Sequence, residues 1–167
     1  MAAVRMLVVV NESPAIERVL TYVVRLLGEH RGVQVGLARA LPPVPPALLE
    51  FGGTEDPREE IRRGAELRAK RRAWHRAATE SVRQSLDGAR QTLCGGGIPP
   101  HRIRTHVFGP ADGRDAAERI LHTAQTRRYR TVVVGRESTS RVRRYLRRDL
   151  ARELVRRSQG VTVWVVE

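Results

Sequence analysis

Residues 4–10 form an apolar run broken only by Arg5 and halted by Asn11-Glu12-Ser13-Pro14, and this pairing of short apolar run and helix start constrains the fold most. A strand apolar on both faces belongs inside a sheet covered from both sides. Ser13 is suited to cap the following helix with Pro14 in its first turn. Ile16, Val19, Leu20, Val23, Leu26 and Leu27 then recur at helical spacing until Gly28. The alternation repeats along the chain. A weaker strand at 33–41 is interrupted by Gly36, and 101–108 alternates, with Ile103, Thr105 and Val107 on one face, and reads as a third strand. A helix at 112–126 carries Ala116, Ala117, Ile120, Leu121 and Ala124 inward. The apolar strand 131–134 ends on Gly135, a helix at 142–158 turns Tyr145, Leu146, Leu150, Leu154 and Val155 inward, and 161–166 closes the chain as a strand. Strands joined by helical crossovers predict an α/β three-layer sandwich, its parallel sheet covered by helices on both faces.

Two segments depart from this rhythm. The prolines of 41–57 exclude regular structure and predict a long loop, with room for one helical turn at 47–51. Residues 58–93 are strongly helix-forming, with Leu67, Trp74, Ala78, Val82, Leu86, Ala89 and Leu93 on one stripe. Charge dominates 58–72, so that half is expected to project or form a separate turn, and Gly95-Gly96-Gly97 stops the helix. A length of 167 residues suits a single domain, 1–167, with a core of its own. The lone cysteine, Cys94, is expected to pack at the helix end. No apolar stretch approaches the roughly 20 residues of a membrane span, and 1–10 lacks a secretory pattern, so the chain reads as cytoplasmic.

The formal charge of +13 raises nucleic-acid binding as one reading. Lys70 is the only lysine among 31 basic residues, which points to a genome rich in arginine codons more than to a binding face. Aromatics do not interleave with the arginines, so no stacking platform for bases is visible. Catalytic patterns are missing too. His30, His75, His101, His106 and His122 do not recur at metal-ligand spacing, and Gly135-Arg136-Glu137-Ser138 is not a nucleophile elbow.

The order and spacing of the elements resemble the universal stress protein family across essentially the whole chain. The residues that carry the resemblance are Val8-Val9-Val10-Asn11-Glu12-Ser13, Phe108-Gly109-Pro110 leading to Ile120 and Ala124, and Val132-Val133-Val134-Gly135. The resemblance implies an adenine-nucleotide α-hydrolase-like fold, a sheet in the order 3-2-1-4-5, and a pocket for ATP, ADP or AMP at the carboxyl ends of the first and fourth strands. Such switch points are where open α/β sheets bind ligands. It assigns to that pocket the positions of Asn11, Ser13, Ala40, Gly135, Ser138, Arg148 and Asp149.

Members of the family that bind ATP carry Gly-x-x-Gly, nine residues, and then Gly-Ser or Gly-Thr. Here Gly135 is kept, the second glycine is Ser138, and the final pair is Arg148-Asp149. A side chain at 148 narrows the approach, and Asp149 sets a carboxylate where a phosphate would lie. Two like charges ~4 Å apart repel by roughly 1 to 4 kcal/mol, or about one to three powers of ten in affinity. Asn11, at the family's aspartate, can bond a ribose but does not assist a metal. Arg39 and Arg130 likewise replace the family's usual residues.

The resemblance also implies that the closing strand, Val161, Thr162, Val163, Trp164, Val165 and Val166, pairs with a second copy across a two-fold axis. The function expected is therefore a dimeric binding or regulatory protein of the stress response, not an enzyme, with weak or absent ATP binding and a protein partner the sequence does not name. A different class of function is a slow ATPase in which the arginines of 136–148 hold the phosphates. A third is a basic nucleic-acid-associated protein.

Overall fold

The computed structural model describes residues 4–11, 15–27, 32–49, 56–136 and 150–167. At its centre lies β1 (Val4–Val9), whose Met6, Leu7, Val8 and Val9 are all buried. A strand apolar on both faces needs neighbours on both edges, and β2 (Val33–Ala40) and β4 (Thr131–Gly135) supply them in parallel register. Beyond these lie β3 (Ile103–Phe108) on one side and β5 (Thr162–Val166) on the other. The sheet order is β3-β2-β1-β4-β5, the order the resemblance implies.

Each face of the sheet has its own cover. On one face, α1 (Ala15–Leu27) and α2 (Pro57–Gly95) bury Val19, Leu20, Val23, Val82, Leu86 and Leu93 against Met6, Val8, Val35 and Leu37. On the other, α3 (Gly113–Thr126) and α4 (Leu150–Arg157) bury Ala117, Ile120, Ala124, Ala151 and Leu154 against Leu7, Val9, Val132 and Val134. The fold is thus a three-layer α/β sandwich. The division follows from strand periodicity, since neighbouring residues of β1 and β4 point to opposite faces.

Local details depart from the expected pattern. Helix α2 is one continuous helix of 39 residues, roughly 60 Å long at 1.5 Å per residue. Its charged first half is not a separate turn. Ion pairs of Glu59 with Arg62 and Arg63, and of Arg62 with Glu66, hold that stretch in helical form with solvent around it. The helix begins on Asp56, whose carboxylate accepts from the Arg58 amide. Of the proline loop, 46–48 forms a 3-10 turn and 50–55 lie outside the described residues. Leu26 and Val155 are exposed, while Ala151 fills the inward position on α4. Residues 142–149, including Tyr145 and Leu146, lie outside the described residues.

Strand β3 keeps the expected alternation, with Ile103, Thr105 and Val107 on one face, but that face is buried only at its start. It starts at Ile103 after a 3-10 turn over Pro100–Arg102, and Thr105 and Val107 are exposed, whereas His106 and Phe108 are half-buried. The reason is a residue far along the chain. Tyr129, just before β4, reaches across the sheet and its hydroxyl lies 3.0 Å from His106 Nε2. Burial, then the positive charges of Arg127 and Arg104, hold the imidazole below its ordinary pKa of 6.5. Burial likewise pushes the Tyr129 phenol up.

A histidine kept neutral by the fold binds its proton more readily in the unfolded chain. Its stabilising effect is complete above the unfolded pKa and is lost as pH falls through it toward the folded value. Urea midpoints are therefore expected to fall between about pH 7.5 and pH 5.5, and His106→Gln should flatten that slope. An unchanged slope in the variant would assign the pH dependence elsewhere.

Candidate functional site

The sheet order reverses direction between β1 and β4, so the helices that follow them leave on opposite faces and a crevice opens at the carboxyl ends. Three of the residues assigned from the sequence come to this edge. Asn11 follows β1, Ala40 ends β2, and Gly135 ends β4. Ser13, Ser138, Arg148 and Asp149 lie outside the described residues.

Asn11 joins the two strands across the crevice. Its Nδ2 donates to the Gly135 carbonyl at 3.3 Å, and its Oδ1 is buried without a hydrogen-bond partner. A buried acceptor left unmatched costs about 1–3 kcal/mol, so this oxygen favours any donor that enters, such as a sugar hydroxyl or an exocyclic amine. The nucleoside end of a nucleotide therefore fits what Asn11 offers. Ser138, Arg148 and Asp149, to which the resemblance assigns the phosphates, lie outside the described residues.

Gly135 has a structural reason of its own. A Cβ there would stand 2.9 Å from Ala15 Cβ and 3.1 Å from Val19 Cγ2, so the glycine lets α1 lie close against β4. Its presence follows from packing without reference to phosphate. Arg136, the first arginine of the expected basic loop, is engaged at both ends. Its amide donates to the Val166 carbonyl at 2.8 Å, and its guanidinium pairs with Glu167 at 3.2 Å.

Arg39 precedes Ala40 and is the only buried charged side chain among the described residues. By strand alternation it shares the α1 and α2 face with Val35 and Leu37. Trp164 of β5 sits on that face too, edge-on to Tyr22 of α1 with ring centroids 6.1 Å apart. It packs on α1, not on α4. Among the described residues no three histidine, cysteine, aspartate or glutamate side chains group to hold a metal, and no helix is long and apolar enough to cross a membrane.

The universal stress protein family matches residues 4–167. Among solved structures, the chain is similar to the universal stress protein of Archaeoglobus fulgidus in complex with dAMP, at 18% identity and a TM-score of 0.55, covering 100% of both chains. A universal stress protein in complex with cAMP shares 15% identity with a TM-score of 0.62, over 100% of this chain and 98% of that one. A family protein from Burkholderia pseudomallei shares 15% with a TM-score of 0.60, over 97% and 94%. Identities this low establish the common fold alone. Among curated proteins, no sequence matches.

Proposed function

We propose that this chain, which belongs to the universal stress protein family, is a homodimeric binding and regulatory protein of the stress response whose grip on ATP is weakened or lost. The observation that carries this reading is the Asn11 bridge. Where the family's aspartate would stand, an amide is tied to the Gly135 carbonyl, and one buried oxygen is left to recognise a ligand by hydrogen bonding. An amide carries no charge with which to assist a metal bound to phosphates.

The sequence around the crevice supports the same reading. Ser138 and Arg148 replace glycines through which a backbone would approach phosphate, and Asp149 adds a carboxylate beside it. That neighbours in the family bind dAMP and cAMP supports a nucleoside monophosphate as the kind of ligand the crevice holds best. The protein acts in the cytoplasm as one domain, and its partner is another protein.

Calorimetry with ATP and Mg²⁺ is expected to show no binding tighter than high micromolar. A low-micromolar constant would overturn the reading and favour a slow ATPase that uses the arginines of 136–148.

A further inference from the structure

We propose that a second site, at the amino-terminal end of the sheet on the α3 side, binds a small, multiply charged phosphate compound such as pyrophosphate or an organic diphosphate. The site is a hollow of about 790 Å³, the size of a small-ligand pocket. It lies at the opposite end of the strands from Asn11 and Gly135, and the proposal is independent of the reading given to that crevice.

The lining is rich in donors and has no carboxylate. Arg5 of β1, Arg104 of β3, and Arg127 and Arg128 of the turn after α3 line the cavity, and the charges of Arg5, Arg104 and Arg127 are felt by the Tyr129 hydroxyl within it. Guanidinium groups are always charged and match phosphate oxygens two at a time. At the floor, Tyr129 is 5% exposed and bonded to His106. A neutral imidazole has one N–H and a phenol one O–H, and their mutual bond uses one of the two. The other is not used in that bond, whichever tautomer is present.

The way the hollow is built also sets it apart from a merely solvated basic surface. Tyr129 lies over Gly36, where a Cβ would come within 2.7 Å of its hydroxyl. Helix α3 ends in a turn where the Arg128 amide donates to the Gln125 carbonyl and the Tyr129 amide to the Ala124 carbonyl. That pattern places Arg128 in the left-handed region at φ 58°, where glycine is favoured. Helix α2 ends in the same turn with Gly97 at the equivalent position, φ 92°. The strained arginine is what a ligand-holding role explains. Arg5 in turn donates to the Arg127 carbonyl at 3.2 Å, which ties β1 to this turn.

The test is calorimetry of the full chain with pyrophosphate at low salt, where screening is weak. Binding is expected, and Arg104→Gln combined with Arg128→Gly should weaken it about tenfold or more, as loss of charge-assisted hydrogen bonds does. Arg136→Gln, at the other end of the sheet, should leave it unchanged. Arg128→Gly suits its backbone, so a thermal melt should show that the variants fold. Bound pyrophosphate should also raise the pKa of His106, which Tyr129, Arg127 and Arg104 face, as followed by NMR. Absence of binding, equal affinity in the double variant, or loss in Arg136→Gln instead would overturn the proposal. So would a duplex oligonucleotide that binds here while pyrophosphate does not.

Discussion

Gly135→Ala is expected to destabilise the protein by ~1–3 kcal/mol in the complete absence of nucleotide. The measurement is a urea melt, read as a lower midpoint at unchanged slope. The new methyl would meet Ala15 Cβ at 2.9 Å and Val19 Cγ2 at 3.1 Å, both on the face of α1 that packs against β4. Neither contact is with the flexible end of a long side chain, so relief requires the helix to move. Val19 is fully buried, so that shift would disturb the contacts of α1 with the sheet.

The double variant Gly135→Ala with Ala15→Gly tests the cause. It should be more stable than the sum of the two single effects, because removing the Ala15 methyl vacates the space the new one needs. If Gly135→Ala instead leaves stability unchanged and affects only ligand affinity, the packing account of this glycine is wrong. Gly135→Val should destabilise further, since it adds two more methyl groups to the same gap.

The layers of the fold were legible because burial on both faces leaves a plain signature. The apolar run at 4–10 became the central strand, and Ala116, Ala117, Ile120, Leu121 and Ala124 all face the core as their spacing predicts. What the sequence left open is burial that comes from a distant residue. Ile103, Thr105 and Val107 share a face as alternation predicts, yet on this edge strand Thr105 and Val107 are exposed and Tyr129 covers the opposite side at His106. Periodicity within one strand carries no information about which face a later segment will cover. Gly36 was the available signal, because a glycine within a strand marks close approach of another group.

Where three of the candidate residues lie in the sheet was legible from the topology. Asn11, Ala40 and Gly135 do come to the carboxyl edge, since the topology leaves them nowhere else to go. The resemblance marked Gly135 as a phosphate position, but steric contact with Ala15 accounts for it equally. The basic hollow was not legible at all. Its arginines are scattered, and Arg5 and Arg127 are 122 residues apart in the chain. The one local clue was a helix ending in Arg127-Arg128-Tyr129 with no glycine where the backbone turns left-handed.

Val165→Lys is expected to convert a dimer into a monomer, as measured by sedimentation velocity. The two edges of the sheet are unlike. On β3, Arg104 and His106 interrupt the apolar pattern, whereas β5 carries no charge from Thr162 to Val166. Charged residues are how free edges avoid pairing, so the uncharged edge is the one suited to be covered by a second copy. Val165 is 38% exposed there, beside Val163 and Trp164, which pack inward on opposite faces. In a two-fold interface one substitution is met twice, and burying an unpaired ammonium costs several kcal/mol each time. Association should then weaken by at least about a thousandfold. Val107→Lys provides the control, because Val107 is half-exposed on the charged edge and should leave association unaltered. A Val165→Lys protein that still sediments as a dimer would move the interface away from β5, while dissociation of Val107→Lys alone would place it on β3.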